Sequence, residues 1–246
     1  GRFTDKVTKD GLRRTSSSTF SVGNNTLFSE TYSYLNTPKD GKTIETGFVS
    51  SVASHVYGTN ADSSTFSYAY DKAGNLETVS KGSSLISKYY YDGLNRLRRE
   101  DNHTAGKTYV WDYDAGGNLL YKKVYALCTD VNLGACLETF AYTYKSEGWR
   151  DRLDTYNGQS CTYDSMGNPT VYLGHTLEWT KVRRLAGFDG NTFKYGANGI
   201  RYQKNSTVYT LDGSRILKES DGTRTLTYYH GSSGIVGFNY NGTDYY

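Results

Sequence analysis

Five aspartates, Asp71, Asp92, Asp114, Asp164 and Asp212, recur along the 246-residue chain at places where acid–base chemistry could be built. Glycoside hydrolysis needs two carboxyl groups about 5–10 Å apart, one of them with a raised pKa. Each of these aspartates, however, follows a strand-like run and precedes Gly or Asn, where a turn residue is expected. The glutamates left uncommitted are Glu77, Glu100, Glu138 and Glu178, and no spacing rule brings two of them together. His55, His103, His175 and His230 match no zinc spacing. No G-x-S-x-G elbow is present. "AGGN" (115–118) and "GANG" (196–199) precede no helix pattern, so phosphate binding is not expected. The chain reads as a non-enzyme without cofactor or metal.

Cys128 and Cys136 bracket "TDVNLGA". That reads either as a hairpin tip closed by a disulfide in an oxidising compartment or as two thiols. Cys161 is left over and is expected to pack as a small apolar residue. Trp111, Trp149 and Trp179 offer flat faces for sugar rings, or else pack across neighbouring strands. Trp111 alternates with Tyr109 and Tyr113, so these three should share one sheet face. Four Asn-x-Ser/Thr sequons, at Asn24, Asn102, Asn205 and Asn241, would matter only in a eukaryotic secretory pathway, and in a bacterium they would be polar turns.

The elements that must position these residues are strands. Only 36% of residues are hydrophobic, 25 tyrosines supply much of that, and mean hydropathy is −0.67. A compact protein of this size buries roughly three quarters of its unfolded surface, which takes aliphatic side chains. Tyrosine carries a hydroxyl that must stay wet or find a partner. The composition therefore predicts a thin or hollow architecture with few residues buried on all sides. The net charge of +3, with short clusters at "RLRRE" (96–100) and "KVRR" (181–184), does not point to nucleic acid. No apolar run approaches the ~20 residues of a membrane helix. No signal peptide stands at the start, and both ends read as cut within repeat-like sequence.

Asp71, Asp92 and Asp114 are 21 and 22 residues apart and close "TFSYAYD", "SKYYYD" and "YVWDYD". The motif positions are Tyr70, Asp71, Gly74 and Leu76; Tyr91, Asp92 and Leu97; and Tyr113, Asp114, Gly117 and Leu119. "CTYDSMGNPTVY" repeats the frame at Tyr163, Asp164 and Gly167, with Pro169 in the apolar place. Looser units follow in "FKYGANGIRYQK", where Gly196 replaces the aspartate, in "YTLDGSRILKE", and in "TYYHGSSGIVGF", where Tyr229-His230 fills the frame. Asp opening a type I turn and Gly three residues later in the left-handed region make a hairpin turn, and the flanks alternate with period two. Each unit of about 21 residues therefore predicts a β-hairpin, and successive hairpins join into one long antiparallel sheet with tyrosines stacking across strands. Residues 1–65 read as atypical leading hairpins, with weak echoes such as "TYSYLN", and 66–246 as the regular array. "LLYKKVYALCTDVNL" (119–133) favours a strand, and 126–160 an elongated hairpin plus connector.

These units resemble the bacterial Rhs/YD-repeat family, whose repeat is an aromatic-Asp pair followed by Gly-Arg/Asn-Leu. Teneurins and the BC component of Tc toxins carry the same repeat. The run "DRLDTYNGQSCTYDSMGNPTVYLGHTLEWTKVRRLAGF" (151–188) is similar to one found in bacterial wall-associated members, and "GIVGFNYNGTDYY" to a stretch leading towards the end of the core region. The resemblance implies an all-β array of YD hairpins forming a long, curved antiparallel sheet, part of a hollow β-cage or spiral. It also implies a secreted or cell-surface bacterial protein whose shell encloses a C-terminal toxin. Its partners would be the rest of the shell, that cargo and, in a wall-binding alternative, cell-wall glycans. Neither a cleavage motif nor a cargo domain is visible in this sequence. The departures at Pro169, Gly196 and His230 leave the turns of those units open.

Overall fold

In the computed structural model, described over residues 3–59, 61–231 and 234–245, every regular element is a β-strand. The chain divides into two compact units, 1–139 and 140–246. The division falls inside the 126–160 stretch, which the sequence reads as an elongated hairpin plus connector and not as a domain boundary.

The first unit contains β1 (Phe3–Lys9), β2 (Thr15–Val22), β3 (Asn25–Lys39), β4 (Lys42–Val56) and β5 (Asp62–Tyr70). It continues with β6 (Leu76–Lys81), β7 (Ser84–Tyr91), β8 (Leu97–Asn102), β9 (Lys107–Tyr113) and β10 (Leu119–Ala126). Each pairs antiparallel with the next. The strands form because Thr, Val, Ser and aromatic residues alternate. Along β5, Ser64, Phe66, Tyr68 and Tyr70 are half-buried while Ser63, Thr65, Ser67 and Ala69 are exposed. β11 (Cys136–Tyr144) spans the boundary between the units.

In the second unit β11 pairs with β12 (Leu153–Tyr156), and β12 with β13 (Gln159–Ser160). A separate 11-stranded antiparallel sheet then runs in sequence order, so the hairpins form two sheets rather than the one long sheet expected. It comprises β14 (Thr162–Tyr163), β15 (Pro169–Tyr172), β16 (His175–Trp179), β17 (Leu185–Phe188), β18 (Asn191–Tyr195) and β19 (Arg201–Lys204). After these come β20 (Thr207–Asp212), β21 (Arg215–Ser220), β22 (Thr225–His230), β23 (Ile235–Tyr240) and β24 (Thr243–Tyr245). Several hairpins of this unit close on two-residue turns whose first residue has positive φ, as at Asn157 (φ 48°) before Gly158, between β12 and β13, and Asp189 (φ 45°) before Gly190. Positive φ at both turn residues matches the strand twist, which is why Asn-Gly and Asp-Gly recur there.

The interior is as sparse as the composition predicts. Among the described residues the buried apolar side chains are Val124, Leu153 and Cys161. Polar groups are buried beside them. Asp101 is 1% exposed and accepts from Arg99 Nε at 2.7 Å and Thr108 Oγ1 at 2.9 Å. Arg99 then donates to the carbonyls of Asp130 (2.8 Å) and Cys128, tying the irregular 127–135 segment to the sheet. The two carbonyls take up the outer nitrogens of the guanidinium, while Asp101 Oδ2 is buried without a hydrogen-bond partner, so the pair is compensated on the arginine side more than on the aspartate side.

Candidate functional site in the Tyr-Asp turns

The motif residues build one turn many times over. At Asp92 the backbone closes twice, with Asp92 N–H donating to Arg96 O (3.0 Å) and Asn95 N–H to Asp92 O (3.0 Å). The carboxylate fills the loop. Oδ1 accepts from the amides of Leu94 (2.9 Å) and Arg96 (3.0 Å), and Oδ2 from Arg96 Nε (2.7 Å). Asp71, Asp114 and Asp164 do the same with Asn75, Asn118 and Asn168 in place of the arginine. The carboxyl groups are held below their ordinary range, by the side-chain amide first at Asp71, Asp114 and Asp164 and by the Arg96 amide first at Asp92. An acid so stabilised as carboxylate is a poor proton donor at neutral pH.

The third residue after the aspartate has positive φ in every such turn, at Gly74 (86°), Gly117 (93°) and Gly167 (83°), but also at Asn95 (59°). Gly74 has a second reason to be glycine, since a Cβ there would lie 3.1 Å from Phe48 Cζ.

The tyrosine before each aspartate ties its hairpin to the preceding one. Tyr70, Tyr91, Tyr113 and Tyr163 donate their hydroxyls to the carbonyls of Val49 (2.8 Å), Leu76, Leu97 and Leu153 (each 2.9 Å). Burial pushes all four phenols up, so they remain donors. Arg96 adds a second tie. Its guanidinium lies 4.8 Å from the Tyr113 ring centroid and donates to Asp114 O at 3.0 Å. Ring-on-ring packing also occurs, as for Phe48 on Tyr70 at 4.8 Å, but for the motif tyrosines the hydroxyl contact is the repeated one.

Sequence reading missed two such turns. "DGLRR" at 10–14 matches "DGLNR" at 92–96, and Asp10 bonds Leu12 N–H, Arg14 N–H and Arg14 Nε as Asp92 bonds its own loop. Arg14 covers the Tyr34 ring, whose hydroxyl donates to Thr15 O, so residues 1–65 contain a regular unit. At Trp179-Thr180 the threonine Oγ1 takes the Arg184 amide (3.1 Å), the backbone closes as elsewhere, and Trp179 Nε1 donates to Pro169 O (2.6 Å).

The departures resolve individually. The turn at Asp164 keeps its closure ahead of Pro169. Gly196 keeps both backbone bonds, and Asn198 Oδ1 accepts from Ile200 N–H where the aspartate would have acted. Asp212 opens no five-residue loop. It pairs with Arg215 across a two-residue turn in which Gly213 has φ 59°. His230 occupies the tyrosine place rather than the aspartate place, with Nε2 donating to Ile216 O at 2.7 Å. Ser232 and Ser233 of that unit lie outside the described residues.

The remaining candidates are not brought into a catalytic set. Glu100 faces Tyr89 and Tyr109 across its strands and Glu178 faces Gly187, so neither meets a carboxylate there. Among the described residues no three His, Cys, Asp or Glu side chains gather as a metal site. Cys128 and Cys136 are separate thiols, which corrects the disulfide alternative. The segment between them is irregular rather than a hairpin tip, and each Sγ bonds local carbonyls, Cys128 to Asn132 O and Cys136 to Glu138 O (each 3.2 Å). Tyr109 and Trp111 share a face, with centroids 6.1 Å apart, and are half-buried. Trp149 is 64% exposed in the 145–152 connection.

No family model matches the chain, and no curated protein matches it. Solved structures do. The crystal structure of TcdB2-TccC3 without its hypervariable C-terminal region superposes with a TM-score of 0.56 over 97% of this chain, at 13% identity. The Tc holotoxin pore of Photorhabdus luminescens gives 0.54 over 97% at 15% identity, and TcdB2-TccC3-Cdc42 gives 0.53 over 98% at 14%. The chain spans 14% of the length of each of these. The likeness is one of fold, and the all-β array of antiparallel hairpins is what the Tyr-Asp repeats' resemblance to the Rhs/YD-repeat family implies.

Proposed function

We propose that this chain is a length of wall in an extracellular bacterial YD-repeat shell, and that the shell encloses or presents a C-terminal toxin or effector. The carrying observation is that the repeated polar groups are consumed in building the sheet. Motif aspartates close turns, motif tyrosines bond main-chain carbonyls, and arginines cover the tyrosines. The motif carboxylates and hydroxyl protons are thereby committed to holding the fold. The fold shared with Tc toxin structures supports the reading. On this reading the chain's partners are neighbouring shell segments and the enclosed cargo, and it performs no catalysis.

Limited proteolysis of the full-length protein, followed by mass spectrometry of the surviving pieces, tests the proposal. The expected result is a resistant shell with a protected C-terminal segment. Immediate loss of the C-terminal part while residues 3–245 survive would overturn encapsulation and leave binding to cell-wall glycans as the leading role.

A further inference from the structure

One rim of the second unit carries three turns in a row. They are the 145–152 connection between β11 and β12, the 164–168 turn between β14 and β15, and the 180–184 turn between β16 and β17. A Cβ on Gly167 would stand 3.9 Å from Trp149 Cζ3, and Arg183 Nη2 donates to Met166 O at 2.6 Å, so the three tips lie side by side. Each tip holds an apolar side chain out into solvent, with Trp149 64% exposed, Met166 46% and Val182 65%. Met166 and Val182 occupy the same place, two residues after Asp164 and after Thr180. In the next turn that place is Asn198, which ends the ridge. The first unit has no such run, because Ala73 separates Leu12 from Leu94 and Gly116 follows.

The ridge is set in positive charge. The 180–184 turn carries Lys181, Arg183 and Arg184 and, with Thr180 in the aspartate's place, no acid. The 145–152 connection adds Lys145, Arg150 and Arg152 against Glu147 and Asp151. Lys145 pairs with Asp154, while Arg152 and Arg184 cover the Tyr163 and Tyr195 rings. Arg150, Lys181 and Arg183 remain exposed beside the apolar tips.

We infer that this rim docks peripherally on an anionic lipid surface. Tips of neighbouring hairpins stand roughly 10 Å apart, a row of projections without a groove, whereas a stable protein interface needs roughly 800 Å² of close-packed surface per partner. A bilayer interface accepts separate projections. The indole settles at headgroup level, the methionine and valine reach the acyl boundary, and the cations meet anionic headgroups. The inference is independent of the shell reading.

Flotation of the full-length protein with vesicles of phosphatidylglycerol and phosphatidylcholine, and with vesicles of phosphatidylcholine alone, tests it. The anionic vesicles should bind the protein, less so as salt rises. Trp149→Ala should lower the partition coefficient by about tenfold and Lys181→Ser by about fivefold. Leu94→Ala, at a lone 70% exposed tip of the first unit, should leave it unchanged. The Trp149 and Lys181 side chains are exposed, and melting curves matching the parent's separate lost docking from lost fold. The inference is overturned if the anionic vesicles are not bound, if neutral vesicles are bound equally well, or if both rim variants bind as the parent does. It is also overturned if Trp149→Ala dissociates a dimer, which would make the ridge a contact between copies of this chain.

Discussion

The two units solve the same problem at different lengths. In the first, strands reach 15 residues in β3 and β4, and the tyrosine contacts span 19, 21, 15 and 16 residues from Tyr34, Tyr70, Tyr91 and Tyr113 to their carbonyls. In the second, β15 to β19 have four or five residues, and Tyr163, Trp179 and Tyr195 each reach a carbonyl 10 residues back. Hairpin length changes while the tie does not. The ring needs a bonding group at its tip and a carbonyl on the neighbouring hairpin, so Trp179 and His230 can replace tyrosine. The aspartate is more dispensable in the second unit, where Thr180 and Gly196 stand in its place and the backbone bonds persist.

Glycine substitutions should separate the units most. Gly74→Ala places a left-handed alanine against the Phe48 ring and should cost about 2 kcal/mol in chemical unfolding. Gly199→Ala meets Arg184 Nη2 at 3.1 Å, the movable end of a long side chain, and should cost about 1 kcal/mol. Equal losses would mean that Phe48 also yields. Removing one hydroxyl comes next. Tyr113→Phe and Tyr195→Phe should each lose about 1 kcal/mol despite the different hairpin lengths, and a much smaller loss at Tyr195 would show that the short hairpins do not depend on the tie. Thr180→Asp should stabilise by about 0.5 kcal/mol, by adding the carboxylate contacts that Thr180 lacks. No gain would indicate that the second unit's turns are held by their neighbours.

Acid titration separates the aspartate turns at low pH. The lowered carboxyl groups of Asp71, Asp92 and Asp114 contribute stability above their ordinary value of 3.8, and that contribution is lost as pH falls through their lower folded values. Asp221, held at about 2, should keep its turn to lower pH. Amide exchange measured from pH 5 to pH 2 should therefore show the loops at 71–75, 92–96 and 114–118 opening before 221–224. Simultaneous opening would sink this ordering.

Much of the site was legible because its bonds are local. The Asp92 carboxylate bonds Leu94 and Arg96, two and four residues on, so the spacing alone announced the loop. The unit at Asp10 was equally local and was missed because Lys9 precedes it instead of tyrosine. Thr180 was missed because its hydroxyl makes only one of the bonds that a turn aspartate makes, and the backbone closes the rest of the loop. Asp212 and His230 were assigned to the wrong place because a two-residue turn and a shifted frame look alike without register.

By itself the sequence determined that the regular elements are strands, that few apolar side chains are buried, and that aspartate loops turn the chain. Those properties follow from alternation, from scarce aliphatic residues and from hydrogen bonds closed within five positions. Only the tertiary structure decided which carbonyl each tyrosine meets, that Arg99 and buried Asp101 secure the 127–135 segment, and that Tyr209, Glu219, Leu226 and Tyr240 line one hollow. These contacts depend on strand register, where a shift of one residue turns every side chain to the opposite face.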